Sequence, residues 1–303
     1  MGIRTLSLAD WASDDPSQRA RFVRELGLGL EEHGFVALSE PGLPEDLLRR
    51  AYEGAAALFA LPEDRKRAFE RPAIGRQRGY TPFGLEHAKN TSVADLKEFW
   101  HVGRESSESD GLPANAFPDE PDVAAVFTEL FASLERVAGQ VLDAVGRYLG
   151  TDDGYFATLT DHGNSVLRVI HYPPLPDAVP DGAIRAAAHE DINLMTVLPV
   201  STASGLEILL RDGTWMPVDA APNTVIVDTG DMMALLTDGR LPATTHRVVN
   251  PHEPGLARRA RYSLPFFVHP RPEARLTPFD GHTPGPTAAE FLRDRLVAIG
   301  IAD

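Results

Sequence analysis

AAAHEDINLMTVLP, residues 186–199, sets His189 and Asp191 two positions apart in a stretch that otherwise reads as a β-strand. The apolar residues Leu194, Met195, Val197 and Leu198 follow directly. Successive strand side chains alternate faces, so His189 and Asp191 are expected on one face and Glu190 on the other. Charge buried among apolar residues is costly unless something pairs with it. A neutral imidazole and a carboxylate on one face meet that need by binding one divalent ion from two directions. The alternative is a solvated pair that binds nothing, and an isolated H-x-D arises by chance in many proteins.

A third ligand has to come from elsewhere in the chain, which holds ten histidines. His252, His269 and His282 stand beside prolines or in loop-like sequence. His246 differs, because it lies in the strand-like THRVV, where an antiparallel neighbour can bring it to the first pair. Two histidines and one carboxylate on one side of an ion leave the opposite positions open. That is the facial triad of non-haem Fe(II) oxygen chemistry. Zinc accepts the same donors, so the ligands alone leave the metal open.

RYS (Arg261–Ser263) supplies a second anchor. Arg261 and Ser263 share a strand face, next to Leu264, Phe266 and Phe267. A buried guanidinium beside a hydroxyl calls for an anion, and a carboxylate satisfies it with paired, charge-assisted hydrogen bonds. With His246 and Arg261 on nearby strands, a short dicarboxylate spans the gap, one end on the metal and the other on Arg261. Tyr172 is a third donor candidate for the distal carboxylate. Against this stands an ordinary ion pair between Arg261 and one of the many acids.

The surrounding sequence gives a framework. Asp15-Pro16 predicts a helix start, and Phe22, Leu26 and Leu30 continue it at helical spacing. A short strand is expected over Gly34–Leu38, helices from about Pro44 and Pro62, and a long amphipathic helix over Val123–Leu149. The second half changes period. Val166–Tyr172, a hairpin through Arg211-Asp212-Gly213, Thr224–Asp228, Met232–Leu236, Thr245–Asn250 and Ala260–Val268 all read as strands. Thr287 and Glu290 form a capping box for a last helix, with Gly300 as its stop. The expected fold is mainly β with flanking helices, a jelly-roll core carrying a helical N-terminal region. One domain is expected over 1–303, mainly helical to about 150, with the core over 160–270 and the C-terminal helix in 271–303.

Composition narrows the function. The net charge of −15, from 29 basic and 44 acidic residues, argues against nucleic acid as a partner. The absence of cysteine excludes disulfides, thiolate metal sites and a cysteine nucleophile. No stretch approaches the roughly 20 apolar residues of a membrane span, and the first residues lack a signal-peptide core. The expectation is a soluble cytoplasmic protein, monomeric or weakly dimeric, acting on a small molecule.

H-x-D, a distal H-R-V and R-x-S, in this order, resemble the isopenicillin N synthase-like branch of the Fe(II)/2-oxoglutarate-dependent dioxygenases. The resemblance covers nearly the whole chain. Glu31–Leu43 is similar to that family's opening helix and strand, Gly79–Gly84 with Asp95–Gly103 to its next block, and LRVIHYPP to the strand before the metal pair. It implies a distorted double-stranded β-helix with His189, Asp191 and His246 as iron ligands. Arg261 and Ser263, helped by Tyr172, would hold the distal carboxylate of 2-oxoglutarate. With O2, the implied reaction releases succinate and CO2 and oxidises a substrate C–H bond, hydroxylation being the default and desaturation or ring closure the variants. Two departures stand out. Ile170 occupies a position where relatives often carry Asn. The stretch between His246 and Arg261 is long, which makes Arg258 and Arg259 rivals for the anchor.

Substrate contacts are expected from Phe267 and Asn193, which share faces with the two anchors, and from Phe83 and His101 in the N-terminal blocks. Phe267 has plain core packing as its alternative, and His101 a structural hydrogen-bonding role. The resemblance names no substrate, since the family handles peptides, amino-acid derivatives, flavonoids, terpenoid acids and other secondary metabolites. Two other functions remain compatible with the residues. One is an isopenicillin N synthase-type Fe(II) oxidase in which R-x-S holds a substrate carboxylate. The other is a zinc-binding or non-enzymatic jelly-roll protein.

Overall fold

The computed structural model describes residues 2–87, 93–105, 112–279, 281 and 284–298. Strand β1 (Arg4–Ser7) leads to helix α1 (Pro16–His33), where Asp15 caps the Ser17 N–H at 2.9 Å and Phe22, Leu26 and Leu30 are buried. Gly34 ends α1 at φ 66°. That left-handed turn favours glycine, and a Cβ there would also meet the Pro242 carbonyl at 2.7 Å. Next come β2 (Phe35–Ser39), α2 (Glu45–Phe59), α3 (Glu63–Arg67), β3 (Gly79–Thr81) and β4 (Glu98–Gly103). The long helix α4 (Ala124–Leu149) buries the expected stripe, and α5 (Tyr155–Thr160) follows.

The second half supplies β5 (Val166–Tyr172), β6 (Ala186–His189), β7 (Met195–Pro199), β8 (Leu206–Leu209), β9 (Trp215–Pro217), β10 (Val225–Thr229), α6 (Asp231–Leu236), β11 (His246–Val248), α7 (Pro254–Ala257), β12 (Arg261–Ser263), β13 (Phe266–Val268) and α8 (Ala288–Ala298). β8 and β9 form the predicted hairpin, with Asp212 holding the Thr214 N–H at 2.9 Å. The Thr287–Glu290 capping box opens α8. Gly300 and His282 lie outside the described residues.

The strands form two sheets. Nine strands run in the order β1-β2-β10-β7-β13-β5-β4-β3, with β12 also paired to β5; four run β6-β11-β8-β9. Ile170, Tyr172, Ile208, Val218, Ile226 and Val248 fill the interior of this jelly roll. A larger core on the outer face of the main sheet packs it against α1, α2 and α4. No helix of the described residues is long and apolar enough to cross a membrane.

Two local expectations are corrected. In the N-terminal half, short strands stand among the helices and complete the main sheet, β2 pairing with β10 and β4 with β5. Met232–Leu236 is helix α6, because Met232, Met233 and Leu236 bury one face at helical spacing. AAAHEDINLMTVLP is two strands rather than one. β6 stops at His189 in the small sheet, and β7 starts at Met195 in the large one. Asp191 therefore sits in the crossing between sheets.

Candidate active site

His189 and His246 face each other directly across the antiparallel β6–β11 pair, with ring centres 4.4 Å apart. Asp191 Oδ1 lies 3.8 Å from His189 Nε2 and 3.7 Å from His246 Nε2. One ligand atom from each residue falls within 4.8 Å of the others. Main-chain carbonyls set both tautomers. His189 Nδ1 meets Ala187 O at 2.7 Å and His246 Nδ1 meets Thr244 O at 3.2 Å, so each Nδ1 carries the donated proton and each Nε2 offers its lone pair to the centre. Burial, and next the neighbouring His246, pushes the His189 imidazole down to about 4, which keeps it neutral for ligation. Two imidazole nitrogens and a carboxylate oxygen on one side of an ion fit Fe(II) with open positions opposite.

Asp191 is held from the large sheet. Its Oδ2 accepts the Thr196 hydroxyl in a short hydrogen bond, and Thr196 Oγ1 in turn accepts Asn193 Nδ2 at 2.9 Å. The Asp231 N–H at the start of α6 donates to Asp191 O at 2.8 Å. Gly230 permits that approach, because a Cβ there would overlap the Asn193 carbonyl. His189 is held from the N-terminal half. Ala187, whose carbonyl orients the ring, donates its N–H to Asp95 Oδ1 at 2.9 Å. Buried Lys97 bridges Asp95 Oδ2 at 2.8 Å and Glu86 Oε2 at 2.7 Å. Asp95 and Lys97 lie in the block Asp95–Gly103, among residues with no role expected from the sequence. The visible signal was a lysine between two acids in a strand-like, apolar segment.

Arg261 stands opposite Tyr172 in the β12–β5 pair, its guanidinium carbon 4.8 Å from the ring centre. It is 2 % exposed; Nε donates to Ala203 O at 3.0 Å, while Nη1 is buried with no hydrogen-bond partner. Ser263 is buried beside it, with Oγ 3.0 Å from Ser201 Oγ. Among the described residues no carboxylate pairs with Arg261. A buried guanidinium with an unfilled donor fits an incoming carboxylate. Arg258 and Arg259 are exposed, and Arg258 pairs with Asp177 at the surface, so neither rival lies inside the roll. Ile170 faces Ser263 as a buried apolar residue.

A cavity of about 280 Å³ opens beside the triad, walled by Arg168, His101, Phe267 and Asn193, with Leu292 and Arg295 of α8 closing one side. Phe267 thus faces the cavity. Asn193 lines it too, but it is 1 % exposed and its amide serves Thr196. His101 takes the structural role: Nδ1 meets Arg76 O at 2.8 Å and Nε2 accepts Arg168 Nε at 2.7 Å. Burial, then the Arg168 charge, holds His101 well below its usual value and so neutral. Phe83 is 46 % exposed, in the turn after β3, and is not part of the cavity wall. Nothing in the local sequence marks Arg168 as a site residue. It lies over the Phe99 ring at 4.2 Å and the Phe267 ring at 5.1 Å, and pairs with Glu86 at 3.3 Å.

Residues 163–270 match the family model of the 2OG-Fe(II) oxygenase superfamily, and residues 3–120 match the model described as non-haem dioxygenase in morphine synthesis N-terminal. A proline hydroxylase from Petromyces alliaceus is 30% identical over 285 residues, covering 89% of this chain and 88% of that protein. Gibberellin 20 oxidase 2 from Oryza sativa subsp. japonica is 30% identical over 287 residues, covering 90% of this chain and 70% of that protein. A crystal structure from Caulobacter crescentus, described as a 2OG-Fe(II) oxygenase family protein, superposes with a TM-score of 0.87 at 36% identity, covering 98% of this chain and 99% of that one. The chain belongs to the 2OG-Fe(II) oxygenase superfamily and is an oxidoreductase that uses Fe(II), 2-oxoglutarate and O2.

Proposed function

We propose that His189, Asp191 and His246 hold the Fe(II), that Arg261 and Ser263 bind the distal carboxylate of 2-oxoglutarate with Tyr172 packed on the guanidinium, and that a small polar substrate occupies the 280 Å³ cavity. The bound metal and co-substrate supply, with O2, an oxidant able to break a substrate C–H bond, releasing succinate and CO2 and by default leaving a hydroxyl group. The chain's own part is positional. Carbonyls of Ala187 and Thr244 keep both Nε2 atoms unprotonated, and Thr196 fixes the rotation of the Asp191 carboxylate. Arg168 and Phe267 offer the substrate a charge and an apolar ring. The observation that carries the reading is the buried, unfilled Nη1 of Arg261 beside a convergent His-Asp-His cluster.

The substrate class rests on size and charge. A cavity of this volume, with Arg168 paired to Glu86 and Arg295 to Asp231 in its wall, suits a molecule the size of an amino acid or a single heterocycle. The name of the Petromyces alliaceus relative, a proline hydroxylase, is consistent with that range. The same proposal takes the chain as one domain, cytoplasmic, and monomeric or weakly dimeric, on its acidic, cysteine-free composition.

The test is an anaerobic titration of the Fe(II)-loaded protein with 2-oxoglutarate. A weak visible charge-transfer band, abolished in Arg261→Ala, is expected. Bound iron with a band that survives in Arg261→Ala would overturn Arg261 as the anchor, and loss of iron binding by the wild type would overturn the triad.

A further inference from the structure

Three histidines of the roll share one local device. His189 Nδ1 meets the carbonyl of Ala187, His246 Nδ1 that of Thr244 and His269 Nδ1 that of Phe267, at 2.7, 3.2 and 3.3 Å. Each partner stands two positions earlier in the chain. A carbonyl only accepts, so Nδ1 carries the proton and Nε2 presents a lone pair. The lone pairs of His189 and His246 converge with Asp191. His269, the residue after β13, lies outside that cluster and lines the cavity beside it.

The lone pair of His269 has no taker in the protein. Among the described residues no group meets its Nε2. The polar atoms sealed in the interior without a partner lie elsewhere, on Arg78 and Arg261 for example, so Nε2 is reached from the cavity. The His269 N–H donates to the buried Ser165 Oγ at 3.2 Å, which fixes the main chain that carries the ring. Burial, ahead of any neighbouring charge, holds the imidazole down to about 4, so no proton occupies the lone pair at neutral pH. The neighbouring wall residues are of a different kind. His101 spends its Nε2 on Arg168 Nε at 2.7 Å. Arg168 gives Nη1 to Glu86, and among the described residues its Nη2 makes no hydrogen bond. Arg168 can only donate, and a neutral His269 offers only an acceptor at Nε2.

We propose that His269 determines specificity by accepting a hydrogen bond from the substrate through Nε2. The substrate must then carry an N–H or O–H group, and an acceptor on the same molecule serves Arg168 Nη2 in the same cavity. A lactam, a cyclic imide or a small amino or hydroxy acid meets both needs. A ketone or ether of the same shape meets only one. An isostere that lacks the donor displaces water from Nε2 and puts nothing in its place, which is how a site built to hydrogen-bond rejects a near copy. The inference rests on the reading that a small polar substrate occupies the cavity, and it narrows the class of that substrate.

The experiment uses matched probes: 2-pyrrolidinone against cyclopentanone, and 2-piperidinone against cyclohexanone. Each pair keeps ring size and carbonyl and exchanges N–H for CH2. Affinities are read by saturation-transfer NMR on the full-length protein loaded with Zn(II) and 2-oxoglutarate, so that no turnover intervenes. Wild type is compared with His269→Phe, His269→Leu and His269→Gln, each first matched to the wild-type circular dichroism spectrum. Two apolar replacements are made so that one misfolded variant does not end the test. The ratio of lactam to ketone affinity is expected to fall by about tenfold in the Phe and Leu variants, as for loss of one hydrogen bond to a desolvated acceptor. His269→Gln, whose side-chain oxygen accepts, should restore part of the ratio. Comparing ratios across variants cancels the intrinsic difference between lactam and ketone. Lactams that bind with a ratio unchanged in the apolar variants, or lowered as far in His269→Gln, overturn the proposal and leave the small-substrate reading standing. Wild type that takes up no probe, while 2-oxoglutarate still gives its anaerobic band on the Fe(II) protein, overturns both and leaves the oxygenase reading intact.

Discussion

Asp191 and Thr196 join the two sheets: the carboxylate in the crossing after β6 accepts the hydroxyl of a β7 residue. The two histidines of the cluster belong to the small sheet, whereas the carboxylate is fixed by the large one. Asp191→Ala should therefore remove one ligand and leave both sheets standing. Iron retained after desalting is expected to fall to background and succinate formation with it, with an unchanged far-ultraviolet circular dichroism spectrum. A variant that still turns over 2-oxoglutarate at the wild-type rate would exclude the triad.

Asp95 and Lys97 act on the metal through Ala187 and His189. Asp95→Asn keeps the shape but weakens the hold on the Ala187 N–H, and Fe(II) affinity should drop by about 10–100-fold, the usual effect of removing a group that orients a ligand. Lys97→Met strands Asp95 without its cation and leaves Glu86 only Arg168. It is expected to destabilise the protein by about 3–5 kcal/mol, since breaking a buried pair leaves an uncompensated charge. Competition with a chromogenic chelator measures the first, and urea unfolding the second.

Stability of the metal-free protein should fall with acid in a defined window. Burial pushes both His189 and His269 down to about 4. The unfolded chain takes up protons near 6.5 while the folded chain does not, so the folded state loses ground as pH drops from about 6.5 to about 4. Urea midpoints at pH 7.5 and 5.0 in the presence of a chelator check the direction. His269→Gln should flatten the slope, and a midpoint that is independent of pH over this range would contradict the assignment.

Arg295 ties α8 to α6 through Asp231 at 3.1 Å, and Asp231 in turn holds the main chain of Asp191. Arg295→Gln should loosen the helical wall of the cavity. KM for the substrate is expected to rise several-fold with little change in 2-oxoglutarate affinity; a loss confined to 2-oxoglutarate would show that α8 serves the other end of the site.

The sequence exposed the ligands because metal chemistry demands particular side chains at particular spacings. His189, Asp191 and His246 stood out as polar residues in apolar strands, and Arg261 for the same reason. Asp191 lies beyond the end of β6 rather than on a strand with His189, yet the two side chains still converge. A strand and a tight crossing both allow i and i+2 to meet, and alternation does not distinguish them. Met232–Leu236 misled because a short apolar run has no period of its own. Arg168 and the tie from Asp95 to Ala187 are illegible for another reason. Their partners come from distant elements, and local pattern carries no trace of a partner about 70 to 90 residues away, as with Arg168 and His101 or Ala187 and Asp95.

The crossing at Asp191 also gives the site a mechanical meaning. Histidines ride on one sheet and the carboxylate, in the crossing, is tied to the other, so an ion held by all three is a rivet through both layers. Its removal uncouples the layers where they diverge, and amide exchange in β6 and β11 should quicken before the main sheet is affected. Iron status is thereby readable in how the polypeptide breathes, independently of turnover.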